Sequence, residues 1–159
     1  MTALQTSIRG LLDQAYAGPA WHGPHLRAAV RGVSPAVATY RPRRGRPCLW
    51  EIMLHCAYWK HRVRQRILGT DEPFARPGGD WPAAPARPDA RQWRADVALL
   101  AREHRALLAT LATLSPRALA RPSRGHRQTP HEMLVGIALH DTYHAGQIRA
   151  LRKLSGEKR

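Results

Sequence analysis

The sequence predicts an all-α protein, a four-helix bundle with long connections. Three observations carry this. No segment sustains the apolar–polar alternation of a strand, and alanine, leucine, arginine and glutamine, all good helix formers, dominate the chain. Four long segments repeat apolar residues at steps of three or four. Most of these segments open with capping-box spacing, and each closes on glycine or proline. With 159 residues, 43% of them hydrophobic, the chain reads as one domain over residues 1–154 and a charged, frayed tail over 155–159.

The first helix is expected from about Ala3 to Ala17. Thr2 and Gln5 have capping-box spacing, Leu4, Ile8, Leu11, Leu12 and Ala15 form the buried face, and Gly18-Pro19 ends it. Trp21-His22-Gly23-Pro24 follows, then a short helical piece to about Gly32 and one turn opened by Ser34-Pro35 through Val37. The arginine-rich stretch Arg41–Pro47 is broken by proline and glycine and reads as a solvated connection, with an anion or nucleic-acid contact as its functional alternative.

The second long helix is expected over Leu49–Leu68, ended by Gly69, with Ile52, Cys56, Trp59, Val63 and Ile67 as its stripe. Cys48 is a poor cap. Glu51 falls in the first turn, where an acid suits the helix dipole, and lies one turn before His55. Residues 70–88 hold five of the thirteen prolines and read as a long loop that Trp81 tucks onto the bundle, long enough to wall a site.

The third helix is expected from a capping box at Asp89 and Gln92 to Leu114, with Trp93, Val97, Leu100, His104, Leu107, Leu111 and Leu114 inward. Arg102, Glu103 and Arg105 make the turn around His104 polar, so that ring is expected to be partly exposed or hydrogen-bonded rather than a ligand. Pro116–Gln128, with Arg117, Arg121, Arg124 and Arg127, reads as irregular. The last helix opens on Thr129, Pro130 and Glu132 and runs to about Leu154.

The formal net charge is +15, carried almost entirely by arginine, with lysine only at positions 60, 153 and 158. Such a balance admits a nucleic-acid partner, but the arginines are spread along the chain and fit a proteome that prefers arginine. No apolar run reaches the roughly 20 residues needed to span a bilayer, and Met1–Asp13 lacks the order of a signal peptide. A soluble, cytoplasmic protein is expected. Cys48 and Cys56, roughly 12 Å apart along one helix, are too far apart for a disulfide.

The chemistry lies in the last helix. Met133, Ile137, His140, His144, Ile148 and Leu151 form its core stripe, with histidines in the two middle places. Buried imidazoles need partners, and a divalent metal would satisfy both. His55, beside the stripe of the second long helix, can supply a third ligand, and Tyr58, Trp59 and Tyr143 flank the three. Imidazole suits zinc, nickel, cobalt and iron without choosing among them, and manganese remains possible. Three ligands leave open positions, which makes a catalytic or binding site rather than a closed structural one. Cys56 reads as a small buried apolar residue rather than a nucleophile.

The pattern Trp21-His22-Gly23-Pro24, then Trp50-Glu51 through His55 to Ala57-Tyr58-Trp59, then His140-Asp141-Thr142-Tyr143-His144-Ala145-Gly146-Gln147-Ile148, resembles the DinB/YfiT-like family of metal-binding four-helix bundles. The resemblance implies a metal triad of His55, His140 and His144. It also implies a homodimer and an activity of the thiol-dependent S-transferase or isomerase type, with a low-molecular-weight thiol such as bacillithiol or mycothiol as co-substrate. A bound metal would lower the thiol's pKa, or that of a water for hydrolysis. Asp141 and Gln147 are expected to support the ligand rings, although Asp141 could instead face solvent or pair with an arginine. Trp21 and His22 are expected either at the pocket mouth or in a hydrogen-bonded loop. A non-catalytic metal- or ligand-binding stress-response protein and a basic nucleic-acid-associated bundle are the alternative readings.

Overall fold

The computed structural model describes residues 1–123 and 125–157. Among them seven helices follow one another and no strand occurs: α1 (Ala3–Tyr16), α2 (Leu26–Val30), α3 (Pro35–Thr39), α4 (Leu49–Leu68), α5 (Ala90–Thr113), α6 (Pro116–Ala120) and α7 (Pro130–Leu154). The four long ones start where their caps predict. Thr2 with Gln5, and Thr129 with Glu132, bond reciprocally across the first turns of α1 and α7. Glu51 accepts the Cys48 amide at 3.0 Å, and Gly69, with φ +71°, turns the chain out of α4 in the left-handed conformation. At α5 Asp89 accepts the Gln92 amide at 2.8 Å, a single cap where a reciprocal box was expected.

Two boundaries differ from expectation. The turn opened by Ser34 continues to Thr39, and residues 116–120, read as irregular, form α6. Ser115 accepts the Ala118 amide at 3.1 Å with Pro116 in the first turn, the same start signal as Thr129-Pro130. Arg124 of that stretch, and Lys158 and Arg159 of the tail, lie outside the described residues. Within the tail, Glu157 pairs with Arg152 on α7.

Packing joins α4 to α5 and α7, and α1 to α7 and α5, so the four long helices close a ring; α2 and α6 lie on α7, and α3 on α4. This arrangement corrects two stripes. The first half of α4 is covered on nearly every side, so Leu49, Trp50, Met53, Leu54 and Ala57 are buried along with Ile52 and Cys56, while Trp59 and Ile67 are only half-buried. On α1, Leu4 and Leu11 are 38% and 43% exposed, and Gln5 takes the inward place. Its amide nitrogen donates to the carbonyls of Leu111 and Leu114 at 3.2 and 2.7 Å, satisfying the end of α5.

The interior divides into two apolar clusters, one containing Trp50, Met53, Leu100 and Ile148, the other Leu12, Leu107, Leu111 and Leu134. At intermediate positions along these helices lie polar groups. Lys60 on α4 and Asp141 on α7 are fully buried and form an ion pair. His104 on α5 is buried too, its Nδ1 accepting from Lys60 Nζ at 3.5 Å and its ring stacked on Tyr16 at 3.9 Å. Of the two expectations for His104, hydrogen bonding holds and exposure does not.

Burial, reinforced by the Lys60 ammonium, pushes the His104 pKa down to about 3. The unfolded chain, with an imidazole pKa near 6.5, therefore binds a proton that the fold refuses. The contribution of this ring to stability is whole above pH 6.5 and is lost as pH falls from there toward 3, at about 1.4 kcal/mol per pH unit. Between pH 7 and pH 5 this ring alone is expected to cost about 2 kcal/mol, read from urea unfolding as the amount by which the wild-type loss exceeds that of a His104→Phe variant, the remainder belonging to the other buried imidazoles.

Candidate metal centre

His140 and His144 leave one face of α7 a turn apart, and α4 packs against that face with His55. The His140 Nε2 lies 3.1 Å from the Nε2 of His55 and 3.1 Å from that of His144. A tetrahedral ion with metal–nitrogen bonds of about 2.0–2.1 Å requires nitrogens about 3.3 Å apart, so these two spacings suit a shared ion, and all three rings offer ligand atoms within 4.8 Å of one another. Burial lowers the pKa of all three rings, with His140, which also faces the other two, pushed to about 3. They are neutral at pH 7 and keep a lone pair each.

Outer hydrogen bonds decide where two of those lone pairs point. The Asp80 carbonyl can only accept, so His55 carries its proton on Nδ1 and presents a bare Nε2. His144 Nδ1 meets Gln147 Oε1 at 2.7 Å with the same consequence, and the Gln147 amide nitrogen donates onward to Tyr143 Oη at 2.9 Å. His140 Nδ1 is buried without a partner among the described residues, as is Asp141 Oδ1. The donor set therefore fits a divalent ion, whose chemistry would come from the positions the protein leaves open.

A second group, Cys56, His140 and Asp141, also brings potential ligand atoms within 4.8 Å of one another. It is the poorer cradle. Cys56 is fully buried and its thiol is pushed well up, against thiolate formation, and Asp141 is already held by Lys60. This also settles Asp141: it faces neither solvent nor an arginine.

The remaining expected residues are placed unevenly. Trp59 stands edge-on to His55 at 6.3 Å, whereas Tyr58 turns to Phe74 at 5.6 Å in the 70–88 loop. Glu51 does not reach His55. It accepts both guanidinium nitrogens of Arg41, at 2.7 and 2.6 Å, as well as the Cys48 amide. Trp21 is 94% exposed, and His22 lines a separate depression with Thr142, Gly146 and Arg149. Those positions lie on the side of α7 opposite His140 and His144, so His22 does not stand at the mouth of the histidine site.

The 70–88 loop does wall the site. His61 donates to the Glu72 carbonyl at 2.8 Å, and the Ala84 amide donates to Glu51 at 3.4 Å, so the loop is tied to α4 at both ends. Between these ties Trp81 stacks on the His55 ring at 3.9 Å with 13° between planes. A cavity of about 620 Å³ opens beside His144, bounded by Trp81, Tyr143 and Gln147 on one side and by Arg43 and Arg46 of the connection before α4. Arg43 and Arg46 are exposed, as a solvated connection requires, and they also border this cavity, where the anion contact kept as the alternative for their stretch would fall; nothing in periodicity marks the Asp80 carbonyl. Lys60 carried a signal that was missed: it falls four residues after Cys56, in the inward register.

No helix among the described residues is long and apolar enough to cross a membrane. Neither the curated proteins nor the solved structures contain a match to the chain. A family model, described as the DinB superfamily, matches residues 20–148. The match leaves out α1 and the end of α7 but takes in the faces of α4 and α7 from which the three imidazoles converge. Covering most of the chain and all of the site, it places this protein in the DinB superfamily.

Proposed function

We propose that the chain is a divalent-metal-dependent enzyme of the thiol S-transferase or isomerase type, built as a single four-helix-bundle domain over residues 1–154. The observation that carries this reading is the convergence of three neutral imidazoles, two with their tautomers set from behind, beside an open cavity. Zinc and nickel are the ions such a set suits first; iron, cobalt and manganese are the others to test. An ion held there would lower the pKa of a thiol and favour its thiolate. His55, His140 and His144 are its ligands. Gln147 and the Asp80 carbonyl hold two of the rings, and Trp81 shields His55 from water. In transfer, the thiolate sulfur bonds to an electrophilic carbon and the leaving group departs with its electron pair.

The test is turnover. Protein loaded with zinc or nickel is mixed with an alkyl halide and a panel of small thiols, and conjugate is measured against the uncatalysed rate. Conjugation that requires metal, and that stops on chelation, is expected. A protein that binds metal yet gives no rate above background with any thiol would be a binding protein, not a transferase.

A further inference from the structure

The cavity beside His144 has a charge pattern that goes beyond a metal site. Arg43 and Arg46 line it and, among the described residues, no acidic side chain does. A ligating imidazole contributes no charge, so a divalent ion held by three of them would stay uncompensated and the loaded site would be positive at both ends.

The loop that carries these arginines is held in place without using their side chains. Arg41 makes the paired bonds to Glu51, and its Nη1 also donates to the Arg46 carbonyl at 2.7 Å. The Arg46 amide donates to the Arg43 carbonyl at 3.2 Å, closing the turn between them, and Gly45 takes the positive φ of +78° that this turn requires. Among the described residues neither Arg43 nor Arg46 has an ion-pair partner; the nearby acid, Glu51, is occupied by Arg41. Glu51 also receives the Ala84 amide of the loop that bears Trp81, so one carboxylate anchors both walls of the cavity. Two guanidinium groups are thus presented on a braced turn, and Ile52 and Leu151 add apolar surface to the same cavity.

From this we infer that Arg43 and Arg46 form an oxyanion-recognition subsite, selecting a small ligand with a donor group at its metal end and a carboxylate or phosphate at the other. The inference rests on the metal reading above. It narrows the substrate class to anionic thiols or their anionic conjugates, because a guanidinium pair matches an oxyanion in geometry as well as charge.

Cobalt-loaded protein tests this through the sulfur-to-cobalt absorption that appears when a thiolate binds. The probes are 6-mercaptohexanoate, its primary amide and the corresponding phosphonate, whose spacers are too long for easy chelation. Wild type is expected to bind both anions about tenfold more tightly than the amide, with the preference shrinking as salt rises. The stronger of the two anions identifies the preferred oxyanion. In the Arg43→Gln/Arg46→Gln variant the preference should vanish while the amide binds as before. Both side chains are exposed and unpaired, so the fold should be unaffected, which a thermal melt checks. Equal affinity for anion and amide in wild type, or a preference that survives the double substitution, overturns the subsite and leaves the metal centre standing. Failure of wild type to take up cobalt overturns both.

Discussion

Alanine in place of His144 is expected to weaken divalent-ion binding by about 10²–10³-fold. Structural zinc sites bind with about 10–16 kcal/mol over four ligands, so one imidazole accounts for about 2.5–4 kcal/mol. The same loss is expected for His55→Ala, because both rings are held with Nε2 toward the site. The comparison that discriminates is Cys56→Ala. His140 belongs to both possible ligand groups, so its removal cannot tell them apart. Cys56 belongs only to the second, and its replacement should leave metal content unchanged. Metal analysis after equilibrium dialysis of protein prepared without a histidine tag reads all three. Retention of metal by His144→Ala together with its loss from Cys56→Ala would move the site to the cysteine side. Gln147→Leu provides a finer scale. It removes the acceptor that orients His144 and should cost about 10–100-fold, less than the ring itself.

Lys60→Met is expected to destabilise the fold by about 3–5 kcal/mol, because it leaves the fully buried Asp141 carboxylate without its cation. A fall of this size is a large part of the stability of an ordinary domain. Removing both charges, as Lys60→Met with Asp141→Leu, should recover most of it, since the pair itself offsets desolvation that an apolar pair never incurs. Burial already raises the Asp141 pKa against the pull of Lys60, and the single variant lacks that pull. A carboxyl whose folded pKa is raised takes up its proton more readily in the folded state. Its stabilising share is full below the unfolded pKa near 3.9 and is lost as pH rises through the folded value. The deficit of Lys60→Met should therefore narrow as pH is lowered from 7 toward 4, read from urea midpoints against wild type. A deficit below about 1 kcal/mol at pH 7 would mean that water reaches the carboxylate once the lysine is gone.

The long helices were visible because their signals are local. A cap acts across three residues and a stripe repeats every three or four, so Thr129, Pro130 and Glu132 could be read without any partner in view. The errors share a cause. Periodicity allows a face to be placed a residue or so off, and only the position of α5 decided that Gln5, not Leu4, turns inward on α1. For Arg43 and Arg46 the sequence left a solvated connection and an anion contact both open, because the cavity they border is made by Trp81 and α7, far away in sequence. For His22 the sequence left the pocket mouth and a loop both open, and only the packing on α7 put it on the side away from the histidine site.

By itself the sequence determined the helical class, the starts of the long helices and the presence of two histidines on the buried face of the last one. These follow from backbone hydrogen bonding and side-chain period, which act within a few residues. The sequence also points to His55 and Gln147 beside them; tertiary structure supplies the contacts, His55 to His140 across 85 positions and Gln147 behind the His144 ring, and alone decided that the Asp80 carbonyl turns the His55 ring with Nε2 toward the site. It also decided that Asp141 answers to Lys60 rather than to solvent. The reason is physical. A lone pair acquires a direction only from the group on the other side of its ring, and for His55 that group sits on a loop 25 residues away.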